Sequence, residues 1–259
     1  MQIRFFRTFS ISYTDRSTLT AGKKIAPMNL LLVALGCAIV FSLVRQLMLN
    51  NGRKTSSGMS TSLVPEEFVR DLEEAGYFKY TAPTDIAQLR NSISEIYGAT
   101  GALVSLWHEE TGNPIDYRDY LCDNESLFES GGFCAMLQEM QPTFDKIGFT
   151  IKVDSEKEFY DDEKGWNYSI TINGREHIVF SNFKGYGWGE AVVKYVQILN
   201  EELSRQGIED RLYPRGGGND GEIFILSDAQ FEVIDKYCKG RRDKPLPLEE
   251  WCILNEIAV

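Results

Sequence analysis

From Val64 onward, apolar residues recur either every three to four positions or every second position, which separates helical from extended segments. Val64-Pro65-Glu66-Glu67 opens a helix: proline suits the first helical position, and the acids suit the positive end of the helix dipole. Phe68, Leu72 and Ala75 share its inner face, and Gly76 supplies the stop. A second helix is predicted from Thr84-Asp85 to Tyr97, with Ile86, Leu89, Ile93 and Ile96 on one side and Gly98 ending it. Phe133 to Ile147 reads as helical, with a kink or break at Pro142. Glu190 to Leu203 carries the clearest stripe: Val192, Tyr195, Val196, Leu199 and Leu203. Ser227-Asp228-Ala229-Gln230 is a capping box, followed by Phe231, Ile234 and Tyr237 and a stop at Gly240. Pro247 opens a last helix through Trp251 and Leu254.

The extended segments have a different period. Ala102 to Trp107 reads as a short strand, and Phe149 to Val153 alternates. Trp166–Ile172 and Arg175–Phe180 flank Asn173-Gly174, a pair that accepts positive φ at both positions of a tight hairpin turn. Arg211–Tyr213, a glycine-rich turn and Glu222–Leu226 follow. A hairpin combined with runs of helices predicts an α+β fold, an antiparallel sheet with helices packed on it, rather than a regular β-α-β alternation.

Met28 to Val44 holds seventeen residues without a charge. With Arg45 snorkelling and Leu47 to Leu49 continuing the run, the segment is long enough to cross a bilayer. The expected organisation is therefore a basic N-terminal segment (1–27), a transmembrane anchor (28–49), a Ser/Gly/Thr-rich linker (50–62) and a folded domain (63–259). A cleaved signal peptide has a shorter apolar core and a small-x-small site, which does not cleanly close this run. A lipoprotein signal would end at Cys37, but Ala34 stands where leucine is expected. Five Lys/Arg precede the segment and three follow it, which places the domain outside the cytoplasm. A start at Met28 would remove those five and reverse the preference. The first 27 residues also share the Arg/Ser/Thr-rich, acid-poor composition of an organelle transit peptide.

Charge divides the chain in the same place. Residues 1–59 hold eight Lys/Arg and one acid, leaving the rest with 19 basic and 37 acidic residues, a net of −18. Such a domain is repelled by nucleic acid and anionic lipid and attracted to a basic protein.

Candidate chemistry is sparse. The two histidines, His108 and His177, share no metal or catalytic spacing, and no G-x-S-x-G is present. Gly216 to Gly221 matches G-x-G-x-x-G literally, but a strand follows where a helix is required, so no dinucleotide or other cofactor is expected. Asp154-x-Glu156-x-Glu158 resembles the start of a calcium loop, but Phe159 and Gly165 occupy positions that need Gly and Glu; with Asp161, Asp162 and Glu163 it reads as a solvated acidic loop, and no metal is expected. If the domain is exported, Cys122/Cys134 and Cys238/Cys252 could each close a short disulfide loop; in a reducing compartment they are core thiols. Two glycine-rich stretches put interface-type residues on exposed loops: Tyr186, Trp188 and Glu190 in one, Arg215, Asn219 and Asp220 in the other.

The hairpin WNYSITINGREHIVF, the helix entry GWGEAVVKYVQILNEEL and the segment RLYPRGGGNDGEIFILSDAQFEVI resemble small bacterial α+β domains found beside polymorphic toxins as immunity proteins. The resemblance covers residues 166–237 and carries no catalytic residues. It implies a non-catalytic immunity-like binding protein; such proteins are usually soluble, so the anchor is a departure from the pattern. Together with the apolar segment and the acidic charge, the expected function is a membrane-anchored binding protein, an immunity-like inhibitor of a basic toxin. The alternatives are a cell-envelope hydrolase using Glu190, Asp220 or Glu222 as general acid/base, and a structural envelope protein.

Overall fold

The computed structural model describes residues 64–108 and 112–258. The basic segment 1–27, the apolar segment 28–49 and the linker 50–62 lie outside the described residues. Among the described residues no helix is long and apolar enough to cross a membrane.

In chain order the elements are α1 (Pro65–Glu74), a 3-10 turn (Tyr77–Tyr80), α2 (Ile86–Thr100), β1 (Asp119–Leu121), α3 (Asn124–Phe128), α4 (Gly132–Ile147), β2 (Val153–Asp161), β3 (Gly165–Ile172), β4 (Arg175–Phe183), α5 (Trp188–Arg205), β5 (Arg211–Arg215), a 3-10 turn (Gly218–Asp220), β6 (Glu222–Leu226), α6 (Asp228–Tyr237) and α7 (Leu248–Leu254). The fold is α+β, with two antiparallel three-stranded sheets, β1-β6-β5 and β2-β3-β4, where one sheet was expected. The reason is α5. It separates the two hairpins in sequence and contacts both β4 and β5. Ala191, Val193 and Ile198 are buried as well as the expected Val192, Tyr195, Val196, Leu199 and Leu203. A helix buried on so many sides belongs in an interior layer.

The central strand β6 separates two apolar clusters through its period of two. Ile223 and Ile225 join α4, α5 and the second sheet in one cluster, while Phe224 and Leu226 join Phe68, Leu72, Leu89, Ile93 and Ile234 in the other. The Ser227–Gln230 capping box starts α6 with both reciprocal bonds made.

Several expected boundaries differ. α2 runs past Gly98 and stops at Gly101, whose N–H bonds Tyr97 O at 2.7 Å. Gly98 instead leaves room for Pro65, whose Cγ would sit 3.1 Å from an added Cβ. α4 continues through Pro142 to Gly148, anchored on both sides of the proline by buried Leu137, Met140 and Phe144. Residues 102–107 contribute only an isolated bridge, Trp107 to Pro114. Side chains occupy this segment: Arg215 Nη1 donates to Leu103 O at 2.6 Å, and Ser105 Oγ donates to Asp116 at 2.8 Å. Asp154 to Glu158 is not a loop but part of strand β2, in register with β3 from Ser155↔Thr171 to Asp161↔Gly165. The β3–β4 turn is as expected, with Asn173 at φ 52° and Gly174 at φ 77°.

Candidate functional site

Glu156 and Glu158 are two residues apart on β2, so both side chains leave the strand on one face. Their register partners are Ile170 and Tyr168, whose side chains enter the core. β2 is an edge strand and stays exposed along most of its length, so the two carboxylates form a ledge at the rim of the core rather than part of it.

Four neutral donors hold this ledge. Tyr168 Oη donates to Glu156 Oε1 at 2.6 Å, and Cys134 Sγ donates to Oε2 at 3.5 Å. Trp166 Nε1 donates to Glu158 Oε1 at 2.9 Å, and Ser130 Oγ donates to Oε2 at 2.6 Å. Lys157, between them in sequence, lies on the other face and pairs with Glu176 at 3.6 Å. Among the described residues no cation pairs with either glutamate. An ionised carboxylate has about four lone-pair sites, so each can still accept from an ammonium or guanidinium. Burial, and then Glu156, raises the Tyr168 phenol well above its ordinary range and the Cys134 thiol to about 11. Both groups therefore remain protonated donors at neutral pH.

The floor beside the ledge is aromatic. Trp166 stacks on Tyr168 with ring centroids 5.5 Å apart and on Phe180 at 4.9 Å. Phe128 meets Trp166 edge-on at 4.8 Å and Phe183 at 6.0 Å. Tyr160, in register with Trp166, is 69% exposed. The loop before α5 closes on the same cluster at Gly187, which has φ 64° and lies so close that an added Cβ would stand 2.1 Å from the Phe128 ring. This seats Tyr186, 87% exposed, and Trp188, 38% exposed, at the border of the cluster. The β2–β3 turn adds Asp161, Asp162 and Glu163; Asp161 accepts from the backbone N–H groups of Glu163 and Lys164. Fixed carboxylates beside aromatic faces suit a cation: the carboxylates pair with its charge, and the rings attract it through their quadrupoles.

The other expected contact residues divide. Glu190 is half-buried at the start of α5, and Asn219 and Asp220 are exposed on the β5–β6 connection. The C-terminal segment touches both glycine-rich stretches, Ile257 beside Gly189 and Asn255 beside Gly217. Arg215 is not an exposed contact. It is buried, 3.5 Å from Asp119, paired with Glu222 and stacked over Phe224 at 4.6 Å. Its strand places it inside, where it neutralises acids that would otherwise be buried alone.

Glu222 is occupied by Arg215. One open depression of ≈ 230 Å³ is lined by Thr150, Asn173, Glu202, Arg205 and Gln206, and another of ≈ 400 Å³ lies between α1 and α6; Glu190, Asp220 and Glu222 line neither. His177 faces the core, 3.4 Å from Glu202, which Arg205 also holds at 2.7 Å. Cys122, Cys238 and Cys252 are buried free thiols and Cys134 a half-buried one. Cys238 and Cys252 belong to different apolar clusters.

Sequence reasoning missed Glu156, Glu158, Trp166, Tyr168 and Phe128 as a group. The available signal was the alternation of Asp154, Glu156 and Glu158, which is a strand period as much as a ligand spacing. The chain matches no family model, no curated protein and no solved structure.

Proposed function

We propose that this chain is a non-catalytic binding protein, tethered to a membrane by residues 28–49, whose acidic domain captures a basic protein. An immunity-like inhibitor of a basic toxin is the form of that activity to which the sequence resemblance points. The observation that carries the reading is the pair Glu156 and Glu158, pinned on an aromatic floor by neutral donors and left with their charge available. Prepositioned groups lose little freedom on binding, and the acidic surface accelerates encounter with an oppositely charged partner. Tyr160, Tyr186 and Trp188 supply adjoining contact area of the type enriched at interfaces.

The test is co-purification of the tagged full chain from its native source, beside a Glu156→Gln/Glu158→Gln double variant. A basic protein retained by the parent chain, lost in the variant and released by salt supports the reading. Equal retention by both, or a partner without basic character, contradicts it.

A further inference from the structure

We propose that the free edge of β2 accepts an extended basic segment as a fourth strand, with cationic residues at alternate positions meeting Glu156 and Glu158. This deepens the binding reading above and rests on it. β2 spans Val153–Asp161 and lies at the end of the order β2-β3-β4, so one side of its backbone pairs with β3 and the other is open. Nine residues extend about 30 Å, long enough to template a strand. The open edge contains no proline, and its irregularity is confined to the Val153/Ser155 end. From Ser155 to Asp161 the strand is regular and available for backbone pairing.

Charge selects the occupant. Between Asp154 and Glu163 the chain carries six acids and one lysine, and that lysine is engaged on the opposite face. A second copy pairing edge to edge would set acidic strand against acidic strand, which destabilises the pairing. A basic strand meets the reverse condition. Side chains two residues apart on such a strand emerge on one face about 7 Å apart, the same repeat as Glu156 and Glu158. The other edge, β4, carries Arg175 and a single acid, Glu176, and has no comparable field.

The experiment uses the full chain in nonionic detergent and two short blocked peptides of identical composition. In one, arginine and valine alternate; in the other, the arginines form one block. Binding is measured by calorimetry and backbone amide hydrogen exchange by mass spectrometry. The alternating peptide is expected to bind about tenfold tighter than its isomer and to slow exchange within 153–161. The Glu156→Gln/Glu158→Gln variant is expected to weaken it about two- to thirtyfold, the loss of two surface charge pairs. Equal binding of the two isomers without protection of β2 overturns strand addition while leaving the cation-binding surface standing. Binding of neither peptide overturns both.

Discussion

Tyr168 on β3 and Glu156 on β2 are joined by a 2.6 Å hydrogen bond in which the buried phenol donates to the exposed carboxylate. A salt bridge at this point would fix the glutamate but consume its charge. A neutral donor fixes it and leaves the charge for a ligand.

Replacing that donor tests the relationship. Tyr168→Phe keeps the ring against Phe133 and Trp166 and removes only the hydroxyl. Stability should fall by about 0.5–1.5 kcal/mol, the net value of one such bond. Affinity for an arginine-rich peptide should fall severalfold. Urea unfolding and calorimetry measure the two effects. Unchanged affinity would show that Glu156 needs no positioning.

Alkaline pH should unfold the domain. Burial, the largest cause in each case, raises the phenols of Tyr77, Tyr120, Tyr168 and Tyr195 above their ordinary value of 10.0. Below that value both folded and unfolded chains keep these groups protonated, and their contribution is fully present. Above it the unfolded chain ionises first, so stability is lost as pH rises towards the folded values. The urea midpoint should therefore decline from about pH 10 upward. A flat profile, with tyrosine absorbance titrating normally, would contradict the burial.

The buried acid–arginine cluster gives an asymmetric prediction. Arg215→Met leaves Asp119 and Glu222 without their cation and should cost about 3–5 kcal/mol. Burial, and then the charge of Glu222, pushes the Asp119 carboxyl well up. Asp119→Asn removes a charge the interior already disfavours, while Glu222 still holds Arg215, so it should cost less. Equal losses in urea unfolding would refute this ordering.

Thiol labelling separates the cysteines. Burial raises Cys122 to about 12 and Cys238 to about 11, and encloses Cys252. Under native conditions Cys134, half-buried beside Glu156, should be alkylated before these three, and all four should react in denaturant without reductant. Site-resolved mass spectrometry reads the order. Resistance in denaturant would reveal disulfides.

Much of the scaffold is visible in local chemistry. Asn173-Gly174 specifies its turn because both residues tolerate positive φ, and Ser227 with Gln230 specifies the start of α6. The stripe from Val192 to Leu203 identifies α5, but not its burial on further sides, because that depends on two sheets brought together from distant segments. Gly98 read as a stop because its packing role requires Pro65, thirty-three positions earlier. Arg215 read as an exposed loop residue because only the three-dimensional fold brings Asp119 and Leu103 to it. The ledge was hidden for the same reason. Glu156 and Glu158 acquire their roles from Ser130, Cys134, Trp166 and Tyr168, which no local period connects to them.

The indole N–H of Trp166 touches Glu158 directly, so its resonance reports on the carboxylate that the binding account depends on. Fluorotryptophan NMR of the full chain, titrated with an arginine-rich peptide, resolves it among the four tryptophans. A saturable shift of the Trp166 signal, weakened in Glu158→Gln and reversed by salt, is the result the account predicts. A Trp166 signal that stays fixed while the peptide binds elsewhere, or an equal shift in the variant, would contradict it.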